Sequence, residues 1–187
     1  PNGMRILFVQ DEGLPYITYG MMVKSGAAAD PQGRNGLASM VGQLMDRGSG
    51  NNSAHEVARR FAILGSRLSV GTDKDYTYLS TSGLSSYQKE LLQLFSELVR
   101  SPNFSETEIH RLRQQTLAEI KRRADGPRSF TEDIFDSYLY GKHPYGEPTI
   151  GHAESVRRIK RKDKIKFYLS HYRPNNCILT VVGRITP

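Results

Sequence analysis

Val23-Lys24-Ser25-Gly26-Ala27-Ala28-Ala29-Asp30-Pro31, followed by Arg34-Asn35-Gly36-Leu37-Ala38-Ser39-Met40-Val41-Gly42-Gln43, is the stretch on which the reading of the fold turns. It joins the end of a β-branched, aromatic strand (Tyr16 to Lys24) to a helix through a small, polar loop, Ser25 to Gly33. Asn35 is the expected N-cap, and the helix is expected from Gly36 to about Arg47, with Gly48 beyond its end. Leu37, Met40, Val41, Leu44 and Met45 recur at spacings of three and four, so one face of that helix belongs to a core.

Working outward, Met4 to Gln10 reads as a short buried strand. Ser53-Ala54-His55-Glu56 and Ser105-Glu106-Thr107-Glu108 are capping boxes that open two helices, to Leu64 and to about Arg123. Arg67 to Thr72 and Asp75 to Ser82 alternate around Asp73-Lys74, which predicts a hairpin. Ser85 to Val99 and Ser129 to Leu139 read as helices, Ser155 to His171 as mostly helical, and Asn176 to Val182 as a final strand. Strands come in hairpin-like pairs with helices in pairs between them. That order predicts one α+β domain over residues 1–187, a largely antiparallel sheet with helices packed on one face.

A hydrophobic fraction of 37% with 24% charged residues is that of a globular chain rather than a disordered one. No apolar run approaches the roughly 20 residues needed to span a bilayer. One cysteine, Cys177, excludes a disulfide scaffold and a Cys-built zinc site. Any metal would have to use carboxylates and the five histidines His55, His110, His143, His152 and His171, none of which pairs with another at i, i+4. His143, just before Pro144, is expected in a structural loop role. The net charge of +7 favours acidic partners without naming one.

Four segments, in register, resemble the M16 family of zinc peptidases, the group of pitrilysin, insulin-degrading enzyme and mitochondrial processing peptidase. They are Pro1-Asn2-Gly3-Met4-Arg5-Ile6; the Val23 to Ala38 stretch quoted above; His143-Pro144-Tyr145-Gly146 with Thr149-Ile150-Gly151; and Phe167-Tyr168 through Tyr172-Arg173-Pro174-Asn175-Asn176 into Val181-Val182-Gly183. The resemblance implies the LuxS/MPP-like metallohydrolase fold. It also implies a chain corresponding to roughly the first half of a family subunit, which carries two similar domains in tandem.

The family's chemistry sits on the helix at Gly36, in the motif H-x-x-E-H. Residues at i and i+4 share a helix face, so two imidazoles hold one Zn²⁺. The Glu at i+3 takes a proton from the metal-bound water, and a later Glu completes the ligands. Here the motif positions read Ser39-Met40-Val41-Gly42-Gln43. Ser39 stands for the first His, Gly42 for the general base, and Gln43 for the second His. Glu119, in Leu117-Ala118-Glu119-Ile120, stands near the spacing of the distal ligand. It is read either as a relic of that ligand or as an ordinary helical carboxylate paired with Arg123 at i+4.

The resemblance thus implies the fold and argues against the activity. No catalytic residue, metal ligand or cofactor is expected in this chain, zinc being expected in a partner. The expected role is that of a non-catalytic M16-like subunit, of a bacterial type. It would pair with an H-x-x-E-H subunit and with a second M16-like domain to enclose a peptide substrate. The compartment stays open between periplasm and cytoplasm. Two other readings stand beside it. One is a structural assembly subunit of the same fold with no peptidase role. The other, less favoured, is a nucleic-acid binder using the seven basic residues of Arg157 to Lys166, which read more simply as a solvated helix face.

Overall fold

The computed structural model describes residues 2–185; Pro1 of the opening segment and the final Thr186 and Pro187 lie outside the described residues. Strand β2, Tyr16–Val23, is the middle strand of the main sheet. Its burial alternates as a pleat requires, with Ile17, Tyr19, Met21 and Val23 inward. It pairs antiparallel with β6, Thr77–Leu84, which turns Thr77, Leu79 and Thr81 to the same face. On its other side it pairs antiparallel with β7, Cys177–Gly183. The expected hairpin forms from β5, Leu68–Thr72, and β6. With β1, Arg5–Gln10, parallel to β7, the five-stranded sheet runs β1-β7-β2-β6-β5.

Every residue of β1 is exposed, so the expectation of a buried strand there is corrected. Its apolar run is genuine strand chemistry, but β1 is the outermost strand and no layer covers either of its faces. At the opposite edge lies β5.

Helices pack on the inward face of the sheet. α1, Leu37–Gln43, is buried on nearly all sides, against β5 and β6 on one side and α7, Arg161–His171, on another. α2, Ala54–Ile63, opens with the expected capping box, Ser53 and Glu56 reciprocally bonded. α3, Gln88–Arg100, buries Leu91, Leu94, Phe95 and Leu98 against the sheet. A second core lies behind α1, where α4, Glu106–Asp125, and α6, Ala153–Arg158, join α7 around Leu37, Met40, Val41, Ile109, Val156 and Phe167. α5, Pro127–Tyr140, follows α4 and buries no residue. A two-residue ladder, β3 (Gly48–Ser49) with β4 (Asn52–Ser53), completes the elements.

Three local expectations are corrected. The continuous helix over Ser155 to His171 is two helices, because Ile159 is extended and Lys160 starts a new N-terminus bonded to Asp163. At α4 only half a capping box forms: Ser105 accepts from the Glu108 N–H, while the Glu108 carboxylate turns to Arg111. The helix at Gly36 ends at Gln43, after which bonds from Leu44, Met45 and Arg47 to carbonyls three residues back tighten the chain to Arg47.

Candidate functional site

α1 is held in place from outside its own sequence. The expected N-cap Asn35 does not cap it. Gly36 occupies the position, at φ 95°, and the carboxylate of Asp30 accepts from the N–H groups of Gly36 (2.7 Å), Leu37 (3.2 Å) and Ala38 (2.8 Å). One side chain therefore satisfies three of the four donors that a helix start leaves open. Burial pushes the Asp30 carboxyl up to about 7, although those three N–H bonds pull the other way. The left-handed turn at Gly36 also lets the chain meet Ile150 and Gly151 backbone to backbone, in contact too close for a Cβ on either glycine. The Ser155 hydroxyl fastens the same junction by donating to the Asn35 carbonyl at 2.7 Å.

On α1, Ser39 and Gln43 sit one turn apart on the side that opens to a cavity, and the Gln43 amide donates to the Ser39 hydroxyl at 3.0 Å. Gly42 points elsewhere. A Cβ there would stand 3.1 Å from Thr72 Oγ1 and 3.2 Å from both Thr77 Cγ2 and Val70 Cγ1, so it faces the β5–β6 hairpin. Of the four positions singled out in the sequence, three therefore come together: Ser39, Gln43 and Glu119 line one cavity of about 310 Å³.

Glu119 is already engaged. Arg122, not Arg123, takes it, through two guanidinium N–H donors, and this pairing holds its carboxyl below the usual range. Spacing of i+3 wins over i+4 here because Arg123 reaches across to Asp133 on α5 at 2.8 Å. The remaining walls come from Lys74 at the hairpin tip and from Glu132 and Asp136 of α5. Four carboxylates thus face two cations, and the cavity is locally acidic on a protein of net charge +7.

Lys74 also closes the cavity's floor. Its Nζ donates to the carbonyls of Tyr145 and Glu147, while the Tyr145 hydroxyl donates to Asp75 at 2.6 Å. His143 fits its expected loop role, since its Nδ1 accepts from the Tyr145 N–H. Asp30, Lys74 and the α5 carboxylates escaped sequence reading. Asp30 reaches N–H groups six to eight residues on, outside the reach of an N-cap rule, and the carbonyls that Lys74 meets lie 71 and 73 residues away; only the hairpin tip, predicted at Asp73-Lys74, gave a hint.

The donors at this site do not fit a zinc ion. Hydroxyl and amide oxygens are weak zinc ligands, the Ser39 hydroxyl already accepts from the Gln43 amide nitrogen, and Glu119, the carboxylate nearest the distal-ligand spacing, is held by a guanidinium. Among the described residues no three His, Cys, Asp or Glu side chains form a metal-binding group. The site has the chemistry to bind polar and cationic groups by hydrogen bonds and charge, and Gly42 brings no side chain to it.

The basic run is dispersed by the break at Ile159. Arg158 lies beside Glu154 of α6, and Arg161 caps the carbonyls of Asn103 and Phe104. Lys164 is 0% exposed and its ammonium has no hydrogen-bond partner; burial lowers it to about 8. The run is not one continuous face for a phosphate backbone.

No helix among the described residues is long and apolar enough to cross a membrane. The family described as Insulinase (Peptidase family M16) matches residues 5–153. An uncharacterized zinc protease of Bacillus subtilis, YmxG, is 23% identical over 185 residues, covering 99% of this chain and 45% of that protein. The structure of a peptidase M16 inactive domain from Pseudomonas fluorescens superposes with a TM-score of 0.94 at 26% identity, covering 98% of this chain and 45% of that one. A protease from Helicobacter pylori follows at 0.92 and 27%, with 99% and 45% covered. The chain spans about half the length of the proteins it matches.

Proposed function

Because the chain belongs to the insulinase family of peptidases, M16, we propose that it forms a single domain that serves as a non-catalytic member, holding peptide for cleavage at a zinc site carried by a partner. The observation that carries this reading is the contrast along α1. Its flanks, with Asp30, Gly36 and the Ile150-Gly151 junction, keep a helix start built in detail, while Ser39, Gly42 and Gln43 supply neither metal ligand nor base. Glu119 is in this reading the relic of the distal ligand, now tied to Arg122. The neighbouring structure from Pseudomonas fluorescens is itself described as an inactive domain, which supports the assignment.

The chain's own work would be binding. The acidic cavity favours a peptide with a basic side chain. The edge of β5 lies beside α1 and is free to accept an extended segment as an added strand. Partners of this reading are an H-x-x-E-H subunit and a second M16-like domain. It is tested by measuring bound zinc and peptide cleavage for the purified protein alone and after adding an H-x-x-E-H-bearing M16 subunit from the same organism. Cleavage and zinc should appear only with that subunit, and chelator-sensitive cleavage by this protein alone overturns the proposal.

A further inference from the structure

A cleft of about 350 Å³ lies between the loop before α1 and α7, and it shares no lining residue with the acidic cavity. Pro31, Leu37 and Phe167 give it apolar walls, while Arg34 and the exposed Lys166 bring positive charge. Among the described residues Asp163 is the one carboxylate on the lining, and it is already engaged. Its Oδ2 accepts from Arg34 Nε at 3.3 Å and from the Lys160 N–H at 2.8 Å. The cleft is therefore left with an excess of cation. His171, at the end of α7, also lines it, with its ring tilted against Phe167 at a centroid distance of 4.3 Å. The neighbours of His171 fix its tautomer. The single hydroxyl hydrogen of Ser25 goes to the Lys24 carbonyl at 2.8 Å, and the Asn176 amide donates to the same hydroxyl oxygen at 3.1 Å. The 2.9 Å bond between Ser25 Oγ and His171 Nδ1 must then carry the Nδ1 proton. Burial disfavours a second proton on the ring, so Nε2 keeps its lone pair and is an acceptor.

We propose that this cleft binds an N-acylated amino-acid carboxylate with an apolar side chain, the group that ends a peptide. Its carboxylate meets Arg34 and Lys166, its amide N–H meets His171 Nε2, and its side chain lies against Leu37 and Phe167. The site goes beyond the role proposed above and does not depend on it. The ligand follows from the chemistry of the walls. Two cations with one engaged acid between them call for an anion, and a guanidinium beside an ammonium suits a carboxylate. An imidazole acceptor calls for a donor on the same molecule. A simple carboxylic acid or an inorganic anion has none to offer, whereas an amide N–H supplies it. Ligand sites run from roughly 300 to 1,000 Å³, so this space takes one such residue and excludes a folded partner.

The test uses the whole protein and the peptide Ser-Gly-Gly-Leu with a fluorescent label at its N-terminus, which carries no basic side chain for the acidic cavity. The free acid should bind about tenfold more tightly than its C-terminal amide, and by a similar factor more tightly than the same peptide N-methylated at its leucine. Lys166→Glu, at an exposed position, should erase the preference for the acid, and Ser170→Trp should weaken binding of every peptide by filling the cleft, with circular dichroism confirming the fold of both. Competition by acetyl-leucine at equal strength assigns the site to free N-acylated amino acids, and weaker competition assigns it to a peptide end. Equal binding of acid and amide by the wild type, an acid preference that survives Lys166→Glu, or no binding at all overturns the site. Tolerance of the N-methyl group overturns the choice of an N-acylated ligand. None of these results touches the zinc and cleavage measurements above, because the two cavities share no residue.

Discussion

The cavity has two walls of opposite construction. On one side α1 is buried almost throughout, capped by Asp30, and locked to the loop around Ile150 and to the β5–β6 hairpin. On the other side α5 buries none of its residues and leaves Phe135, Tyr138 and Leu139 facing solvent. The wall that carries Ser39, Gly42 and Gln43 is the rigid one. The α5 wall meets α4 through an ion pair and a partly open apolar seam, so it is the wall that can adapt to what enters. Scaffold and chemistry are thus separable: the start of α1 is built by one carboxylate and by glycines that lie outside the helix.

The comparison breaks most easily at Asp30. Asp30→Ala should cost about 3 kcal/mol in urea unfolding, because the Gly36 and Ala38 N–H groups lose their acceptor at once and Leu37 keeps only the Arg34 carbonyl. The same group gives a pH test. A carboxyl raised to about 7 in the native state binds its proton more tightly than in the unfolded chain. Its contribution is therefore complete below about pH 4 and is lost as pH rises through 7. Asp30→Asn should flatten that fall in stability between pH 4 and 7, read from unfolding midpoints at several pH values.

Lys164, behind the rigid wall, is next. An unpartnered ammonium in a core is a burden, and Lys164→Met should stabilise the protein by about 2 kcal/mol at pH 7. Since its native value is lowered to about 8, wild-type stability should climb as pH rises from 8 toward 10.5, a rise that the Met variant lacks.

Smaller still is Lys74→Met, expected to cost about 1 kcal/mol by freeing the Tyr145 and Glu147 carbonyls. Hydrogen exchange should speed up in residues 143–151 and not in α1. The smallest effect belongs to the other wall: Phe135→Ser and Tyr138→Ser should each change stability by less than about 0.5 kcal/mol. A loss of several kcal/mol at either position would show that the two walls are equally built in.

Much of this arrangement was legible in the residues. The hairpin around Asp73-Lys74 and the capping box at Ser53 signal themselves within a few positions, and both formed. The motif positions on α1 and the spacing to Glu119 placed three side chains in one cavity. What escaped depended on distance or on neighbours. Ile6 to Val9 read as buried because apolar runs usually are, but burial is decided by the next layer, which the run does not encode. The break at Ile159 carries no Gly or Pro; Asp163 reaching back to the Lys160 N–H makes it. Asp30 looked like loop punctuation before Pro31, and only the folded chain brings it over the start of α1.

The surroundings of Gly42 are nearly closed to a side chain. With no Cβ, it leaves the hairpin so close that a methyl group there would stand 3.1–3.2 Å from Val70, Thr72 and Thr77. A carboxylate reintroduced there would have to push the hairpin outward before it could meet any water. A side chain at this position is therefore coupled to the hairpin: accommodating it calls for movement of β5 or β6 as well as for the substitution itself.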